Sequence, residues 1–174
     1  MNFDLFAPRK KTEGAEATPA DILLDWWRHL ELDKGGRARL RRCHTLDQVL
    51  FEPAFHDLLR RLTPFEADPL RLAAVAGIAV VVKAHVPEAH GAGFARQMGR
   101  KEGDRRAVSE IRFRQLITLD ETTRSAEAAR EEAWKISRRL VHLLGDQADL
   151  IDLARTLYAW NDRTRRAWAL AYYA

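Results

Sequence analysis

The stretch that decides the fold is LRLAAVAGIAVVVKA, residues 70–84, in which only Arg71 and Lys83 carry a charge. Its uninterrupted apolar run, residues 72–82, is 11 residues long. A helix that crosses a membrane needs about 20 apolar residues, so this run is too short to be one. A helix that is apolar on every side must be surrounded by other elements. The sequence therefore predicts a buried central helix here.

Helical spacing of apolar residues continues on both sides of this stretch. Helix starts are indicated at Thr18-Pro19, Thr45, Pro53 and Asp68-Pro69, and a helix end at Gly145. The spacing predicts, among others, helices over 34–42, 107–119 and 122–144. No stretch alternates with period two for long enough to indicate a strand. We therefore predict an all-α fold without a sheet.

Composition divides the chain into four segments. Residues 1–18 have the character of a flexible leader, and residues 87–106, which combine glycines with arginines, that of a basic linker or loop. The segments between and after them, 19–86 and 107–174, are predicted to form an N-terminal helical lobe and a C-terminal helical bundle. The expected architecture is thus two small helical lobes joined by a basic, glycine-containing loop.

The composition also excludes several classes of protein. The chain has 174 residues and a net charge of +4, and 23 of its 29 basic residues are arginine, whose planar fork suits phosphate. The single cysteine, Cys43, excludes an internal disulfide framework and a cysteine-based zinc cluster. A reducing cytoplasm fits this count, and the sequence shows neither a membrane segment nor an export signal.

The residues give no support for catalysis. Cys43 and His44 are neighbours, but Cys43 lies on the apolar face of its helix, so a core cysteine beside a surface histidine is the expected arrangement. His85 and His90 lack a third ligand at metal spacing. We therefore predict no enzyme activity, no metal, no organic cofactor and no small-molecule substrate. The five tryptophans have helical spacing and are expected in the core rather than stacked on bases.

Clusters of arginine are the strongest signal. In the helix over 34–42, Gly36 and Leu40 share a face with Cys43, and four arginines are spread over the other sides. Arg37 and Arg41 are four residues apart, so they repel each other unless an anion offsets their charge. Further basic clusters occupy the predicted loop 87–106 and the later helices. Together they predict contact with phosphates.

At this point the sequence resembles a known family, the small subunit of the type I-E CRISPR Cascade complex (CasB family). Four pieces occur in the family's order: DWWRHLELDKGGRARLRRCHTLDQVLFEPAFHDLLRRL (25–62), ARQMGRKEGDRRAVSEIRFRQLI (95–117), ISRRLVHLL (136–144) and LARTLYAWNDRTRRAWALAYY (153–173). The resemblance covers about residues 22–173, which is most of the chain.

The resemblance implies an all-helical, non-catalytic subunit, two copies of which line the inner surface of the complex. Its implied partners are the crRNA, the target DNA, the backbone and large subunits, and a second copy of itself. It would steady the crRNA–target heteroduplex and the displaced strand. The positions that would bind nucleic acid are Arg37, Arg41, Arg42, Arg100, Arg112, Arg114, Arg138, Arg139 and Arg163.

Two other interpretations stay open. One is a free-standing helical regulator that binds DNA, but the arginine-rich helix lacks the asparagine or glutamine that base readout favours. The other is a helical adaptor whose arginines dock acidic protein partners. Nucleic-acid binding that weakens linearly with the logarithm of salt concentration would distinguish phosphate contact from such docking.

Overall fold

The computed structural model describes residues 4–7, 17–119 and 125–174, which form ten α-helices and four two-residue strands. The helices are α1 (Pro19–His29), α2 (Lys34–Arg42), α3 (Leu46–Leu50), α4 (Pro53–Leu62), α5 (Pro69–Ala79), α6 (Gly93–Gly99), α7 (Glu110–Ile117), α8 (Ala126–Leu143), α9 (Leu150–Ala159) and α10 (Asp162–Tyr173). The strands are β1 (Ala84–His85), β2 (Lys101–Glu102), β3 (Arg105–Arg106) and β4 (Gln147–Ala148). The all-α class predicted from the sequence is confirmed.

The expectation that no strands pair is wrong in detail. β1 pairs in parallel with β4, with Ala84 opposite Gln147, and β2 pairs antiparallel with β3. Each strand has only two residues, so it leaves no alternating hydrophobic pattern in the sequence. These pairs join loop backbones between helices and build no sheet layer.

Local capping explains why several helices begin where the sequence predicts. The Thr18 hydroxyl accepts a hydrogen bond from the Asp21 amide at 3.2 Å, and the Asp21 carboxylate accepts one from the Thr18 amide at 3.1 Å. The Asp68 carboxylate caps α5 by accepting from the Arg71 amide at 2.9 Å. Gly145 follows α8 with φ of +72°, a left-handed conformation that glycine adopts without strain.

Helix α5 is the buried centre of the fold. Every residue from Leu72 to Ala79 is buried, and α3, α8 and α9 pack around the helix. Gly77 permits close packing, since a Cβ there would lie 2.7 Å from the indole nitrogen of Trp134 on α8. α5 ends at Ala79, earlier than residue 84, and the Val82 carbonyl beyond it accepts from the Trp27 indole at 3.1 Å. None of the helices in the described ranges is long and apolar enough to cross a membrane.

The tryptophans lie in the core, as the sequence predicts. All five are at most 7% exposed. Trp134 lies on α8, Trp168 lies on α10, and Trp160 lies between α9 and α10. Trp160 and Trp168 contact each other edge to face, with ring centroids 6.3 Å apart. No tryptophan is therefore available to stack on a base.

The N-terminal leader differs from the prediction where it is described. Leu5 and Phe6 are at most 1% exposed, and Phe6 packs edge to face on Tyr158 of α9. The Asp4 carboxylate accepts two hydrogen bonds from the Arg155 guanidinium, at 2.9 and 3.0 Å. Residues 4–7 are therefore anchored in the core rather than flexible. Residues 1–3 and 8–16 of the predicted leader lie outside the described residues.

Most of the segment predicted as a linker or loop, residues 87–106, is folded in the structure. It contains α6, in which every residue except Arg96 is buried, and the β2–β3 hairpin. Gly99 lies directly against α10, since a Cβ there would be 2.2 Å from the Tyr172 carbonyl oxygen. The Arg106 guanidinium donates to the Gly99 and Tyr172 carbonyls at 2.8 and 2.7 Å. Tertiary contacts, which a local pattern does not reveal, hold this segment in place.

The buried residues form one hydrophobic cluster that runs from Leu5 to Tyr172. α5, from the first half of the chain, packs on α8 and α9, from the second half. A division into lobes at 19–86 and 107–174 stays a prediction, and in this structure the two halves share their core.

Candidate nucleic-acid interface

Helix α2 carries the densest run of arginine, and its buried side fixes where those arginines lie. Asp33 caps the helix by accepting from the Gly36 amide at 2.9 Å. Gly36 and Leu40 are buried, and Cys43, the residue that follows the helix, is 5% exposed. The predicted apolar face is therefore the one that meets the core. Arg41 and Arg42, which lie off this face, are exposed.

The side chains of Arg41 and Arg42 have no carboxylate partner among the residues that the structure describes. Their neighbour Arg39 differs, since its Nε lies 3.1 Å from the Glu52 carboxylate on the approach to α4. The positive charge at the end of α2 is thus only partly neutralised by the residues that the structure describes. Such an exposed, uncompensated pair is suited to phosphate oxygens.

Arg37, another predicted position on α2, is held by contacts within the fold. Its Nη2 donates to the Val82 carbonyl at 3.1 Å and its Nε to the Val80 carbonyl at 3.4 Å. Its side chain is 17% exposed, and its remaining nitrogen lies 3.8 Å from Glu31. Two of its three guanidinium nitrogens thus donate to carbonyls beyond the end of α5. The Arg37–Arg41 repulsion is thus relieved by backbone oxygens and a carboxylate.

Arg138 of α8 is also used internally, and it determines the shape of the site. Its Nη1 donates to the Cys43 carbonyl at 2.8 Å and its Nη2 to the Arg41 carbonyl at 2.6 Å. Its guanidinium carbon lies 4.9 Å from the centre of the Trp134 ring. Burial lowers the pKa of Arg138 from its usual value, and the charge of nearby Arg41 lowers it further. Arg138 therefore joins the last turn of α2 to α8.

Arg139, the next residue on α8, is exposed and has no ion-pair partner within residues 4–7, 17–119 and 125–174. We call Arg41 and Arg42, with Arg138 as their clamp and its neighbour Arg139 on α8, the α2–α8 basic end. The Arg138 contacts bring three of the nine predicted positions together, and Arg139 follows Arg138 along α8. Within the group, only Arg138 has its donors occupied by backbone carbonyls.

The other predicted positions lie on separate elements. Arg100 follows α6, and its Nη2 lies 2.7 Å from the Glu88 carboxylate, although 62% of its side chain is exposed. Arg114 on α7 is 3.9 Å from Glu110. Arg112 on α7 and Arg163 on α10 are exposed and make no ion pair in the described part of the chain. These four do not join the α2–α8 basic end in one surface defined by contacts.

The structure also shows exposed side chains outside the nine predicted positions. Arg105 and Lys101 face solvent on the β2–β3 hairpin, and Arg28 does so on α1. Phe51 is 80% exposed beside the α2–α8 basic end, where it helps to line a surface cavity with Arg42 and His44. No sequence pattern marks Phe51 as exposed, since it follows the apolar pair Val49-Leu50.

The histidine and cysteine candidates for chemistry are held in structural contacts. The Cys43 thiol donates to the Arg39 carbonyl at 3.5 Å, and burial raises its pKa. His85 accepts from the Leu150 amide at 3.1 Å, and burial lowers its pKa. The described residues contain no group of three His, Cys, Asp or Glu side chains placed to hold a metal ion.

One buried carboxylate has the shifted pKa that is common at functional sites. Burial raises the pKa of Asp152 to about 6. Its Oδ2 accepts from the Phe94 amide at 3.0 Å and from the Trp168 indole at 2.9 Å. The carboxylate therefore ties α9 to the start of α6 and to α10, which is a structural role.

Comparison with known proteins agrees with this architecture. A chain of E. coli Cascade, in a crystal structure bound to a PAM-containing dsDNA target, superposes with a TM-score of 0.63. The match covers 91% of this chain and 97% of that chain at 22% sequence identity, so it is a likeness of fold. No curated protein matches the chain.

The family comparison is more specific. The model of the CRISPR-associated protein Cse2 family matches residues 36–173, which begin within α2 and end with α10. This range includes both sides of the α2–α8 basic end and confirms the family identified from the sequence. The chain belongs to the Cse2 family of CRISPR-associated proteins.

Proposed function

We propose that this chain is the non-catalytic small subunit of a Cascade surveillance complex and that it holds nucleic-acid backbone through the α2–α8 basic end. Membership of the Cse2 family supports the first part. The likeness to a chain of Cascade bound to a dsDNA target supports crRNA, target DNA and other Cascade subunits as partners. The backbone and large subunits and a second copy of the chain are proposed with them. Its place of action would be the cytoplasm, where Cascade meets its target.

The observation that carries the second part is the difference between exposed and occupied arginines. Arg41 and Arg42 are exposed, and neither lies within ion-pair distance of a carboxylate of the described chain. Arg138 fixes the backbone at the end of α2 through two carbonyls, at 2.8 and 2.6 Å. The two free guanidinium groups are thus presented from a rigid turn. Phosphates can be bound there with little loss of backbone entropy.

The chemistry of α2 favours backbone contact over base readout. The helix sequence, KGGRARLRR, contains no asparagine or glutamine that could pair with a base edge. In RNA-guided complexes, base pairing reads the sequence and the protein supplies electrostatic contacts to the backbone. The role that fits is to steady the crRNA–target heteroduplex and the displaced strand. A free-standing, sequence-reading regulator fits this surface less well.

The remaining predicted arginines take different parts in this proposal. Arg112 and Arg163 are exposed without a carboxylate partner in the described residues and remain candidates for additional phosphate contacts. Arg100 and Arg114 must first exchange Glu88 and Glu110 for phosphate. Arg37 is left out, because carbonyls beyond α5 occupy its donors.

The test replaces Arg41 and Arg42 with glutamine in the assembled complex and measures retention of target DNA over a range of salt concentrations. Each lost phosphate contact should flatten the slope of log affinity against log salt by about 0.7 to 0.9. We expect target retention to fall about tenfold near 0.15 M salt, since two such contacts are lost. Subunit assembly should be unchanged, because both side chains lie off the buried face of α2.

The matched control is Arg60→Gln with Arg61→Gln, which removes the same charge from the end of α4. Equal loss from both pairs would mean general charge attraction and would overturn the proposed site. Loss of assembly in the first variant alone would show that these arginines hold an acidic protein partner. Neutralisation is preferable to reversal, since a glutamate at 61 would face Asp25 and Asp57.

A further inference from the structure

Phe51 is an exposed aromatic side chain on a rigid part of the backbone. Its ring is 80% exposed, although an exposed phenylalanine gives up the free energy that burial would provide. Its amide donates to the Gln48 carbonyl at 3.2 Å, which closes the last turn of α3. α4 begins two residues later, at Pro53. The ring is therefore presented from a fixed corner between two helices.

The ring lies at one side of a shallow cavity of about 380 Å³ that we call the Phe51 pocket. Arg42, His44 and Gln48 also line the pocket, as do the ion-paired Arg39 and Glu52. Gln48 is held in place, because its side-chain oxygen accepts from the His44 amide at 2.7 Å. The pocket adjoins the α2–α8 basic end through Arg42.

The charge of the pocket favours an anionic occupant. Glu52 is its carboxylate, and the Arg39 guanidinium neutralises that group at 3.1 Å. The charge of Arg42 is not compensated, since no carboxylate of the described chain lies within ion-pair distance. An exposed aromatic face next to an uncompensated arginine suits an unpaired nucleobase and its phosphate. An apolar protein partner would bury Phe51 but would leave the Arg42 charge desolvated and unpaired.

We propose that the Phe51 pocket takes one unpaired nucleobase of a single strand, which stacks on the Phe51 ring while Arg42 binds the adjoining phosphate. The Arg42 contact rests on the function proposed above, and the stacking contact goes beyond it. A base inside a duplex has its faces covered by its neighbours, so the pocket distinguishes single strands from duplex. Stacking tolerates any base, which agrees with a protein that does not read sequence.

The experiment measures binding of the full chain to fluorescently labelled strands of equal length and charge. One strand carries thymine at every position, one is abasic throughout, and a duplex is the third probe. We expect Phe51→Ala to weaken binding to the thymine strand at least about fivefold. Binding to the abasic strand and the duplex, and the salt slope for all three, should be unchanged. DNA and RNA versions of the base-bearing strand show which of the two the pocket prefers.

Two further variants at position 51 distinguish aromatic stacking from a general hydrophobic contact. Phe51→Trp should keep or strengthen binding to the base-bearing strand. Phe51→Leu should reduce the affinity for that strand by most of the factor expected for Phe51→Ala. The matched control is Leu32→Ala, which removes an apolar side chain that is 84% exposed between α1 and α2. A strand with a single 2-aminopurine reports stacking directly, because its fluorescence is quenched on the wild-type protein and recovers on the Phe51→Ala variant.

Three results would overturn the proposal that the Phe51 pocket binds a nucleobase. An equal loss on the abasic strand would show that Phe51 does not stack on bases. Unchanged binding of Phe51→Ala to all strands would refute the pocket, while a continuing effect of the Arg41 and Arg42 changes would leave the proposed function intact. Failure of Phe51→Ala to enter the complex, with unchanged unfolding behaviour, would show that a protein neighbour covers the ring instead.

Discussion

Helices α2 and α4 both carry an Arg-Arg pair in their last turn, and the two pairs have opposite surroundings. On α4, Asp57 lies 3.3 Å from Arg60 and 3.0 Å from Arg61, and Asp25 of α1 lies 2.9 Å from Arg61. On α2, Arg41 and Arg42 have no such carboxylates in the described ranges. Counting basic residues in the sequence treats the two pairs as equal.

Part of the difference comes from one position on each helix. Asp57 precedes Arg60 by three residues and Arg61 by four, which places its carboxylate on their side of the helix. The residue at the same offsets before Arg41 and Arg42 is Ala38. The upstream acid on α4 thus pairs with both arginines, and Asp25 of α1 adds a second carboxylate beside Arg61, whereas α2 has no acid at the equivalent position. The three predictions below test this comparison.

The largest expected effect comes from removing the clamp that holds α2 in place. Arg138→Met should lower the free energy of unfolding by about 2 to 4 kcal/mol, since it deletes two charge-assisted hydrogen bonds and leaves the Arg41 and Cys43 carbonyls poorly satisfied. Urea unfolding monitored by circular dichroism measures the change. Arg139→Met is the control and should shift stability by no more than about 0.5 kcal/mol, because its side chain is exposed. Similar shifts in both variants would contradict the clamp.

Local signals explain how much of the fold was predictable. The starts of α2, α1, α3 and α5 follow from N-caps at Asp33, Thr18, Thr45 and Asp68, each of which acts within three residues. α6 has no such signal, since its N-cap is Ala92 in a left-handed conformation with no side-chain hydrogen bond. Contacts with α10 and α9 hold α6 in place. The sequence therefore indicated a loop where the structure has a buried helix.

In the candidate site, too, the features that depend on local sequence were predictable and those that depend on tertiary contacts were not. Exposure of Arg41 and Arg42 follows from the Gly36–Leu40–Cys43 face, which is a local pattern. The internal roles of Arg37 and Arg138 depend on carbonyls 45 and 95 residues away. No spacing rule reaches that far. An arginine that donates to carbonyls at a distant helix end and an exposed arginine that can bind a phosphate have the same local sequence signature.

The next prediction transfers the acid of α4 to α2. Ala38→Asp places a carboxylate three and four residues before Arg41 and Arg42, as Asp57 does for Arg60 and Arg61. Binding to single-stranded nucleic acid should weaken about two- to fivefold although every arginine remains, because a partly exposed ion pair is worth up to about 1 kcal/mol. Titrations at several salt concentrations measure the change. Ala38→Asn, which has nearly the same shape and no charge, is the control and should bind almost as the wild type does. If both variants weaken binding equally, shape rather than charge is responsible and the comparison fails.

The smallest effect is expected from the reverse change on α4. Asp57→Ala frees Arg60, but Arg61 keeps its contact with Asp25 at 2.9 Å, so only one new guanidinium becomes available. Affinity for single-stranded nucleic acid should rise by no more than about twofold, since a single exposed ion pair contributes up to about 1 kcal/mol and salt screens it. The same titration measures this gain, with Asp57→Asn as the uncharged control of nearly equal shape. A gain as large as the loss expected from changing both Arg41 and Arg42 would mean that any freed arginine serves equally well. The position of the pair at the Arg138-clamped end of α2 would then be irrelevant. A small gain means that an arginine must be both free of carboxylates and held at this end of the molecule to contribute.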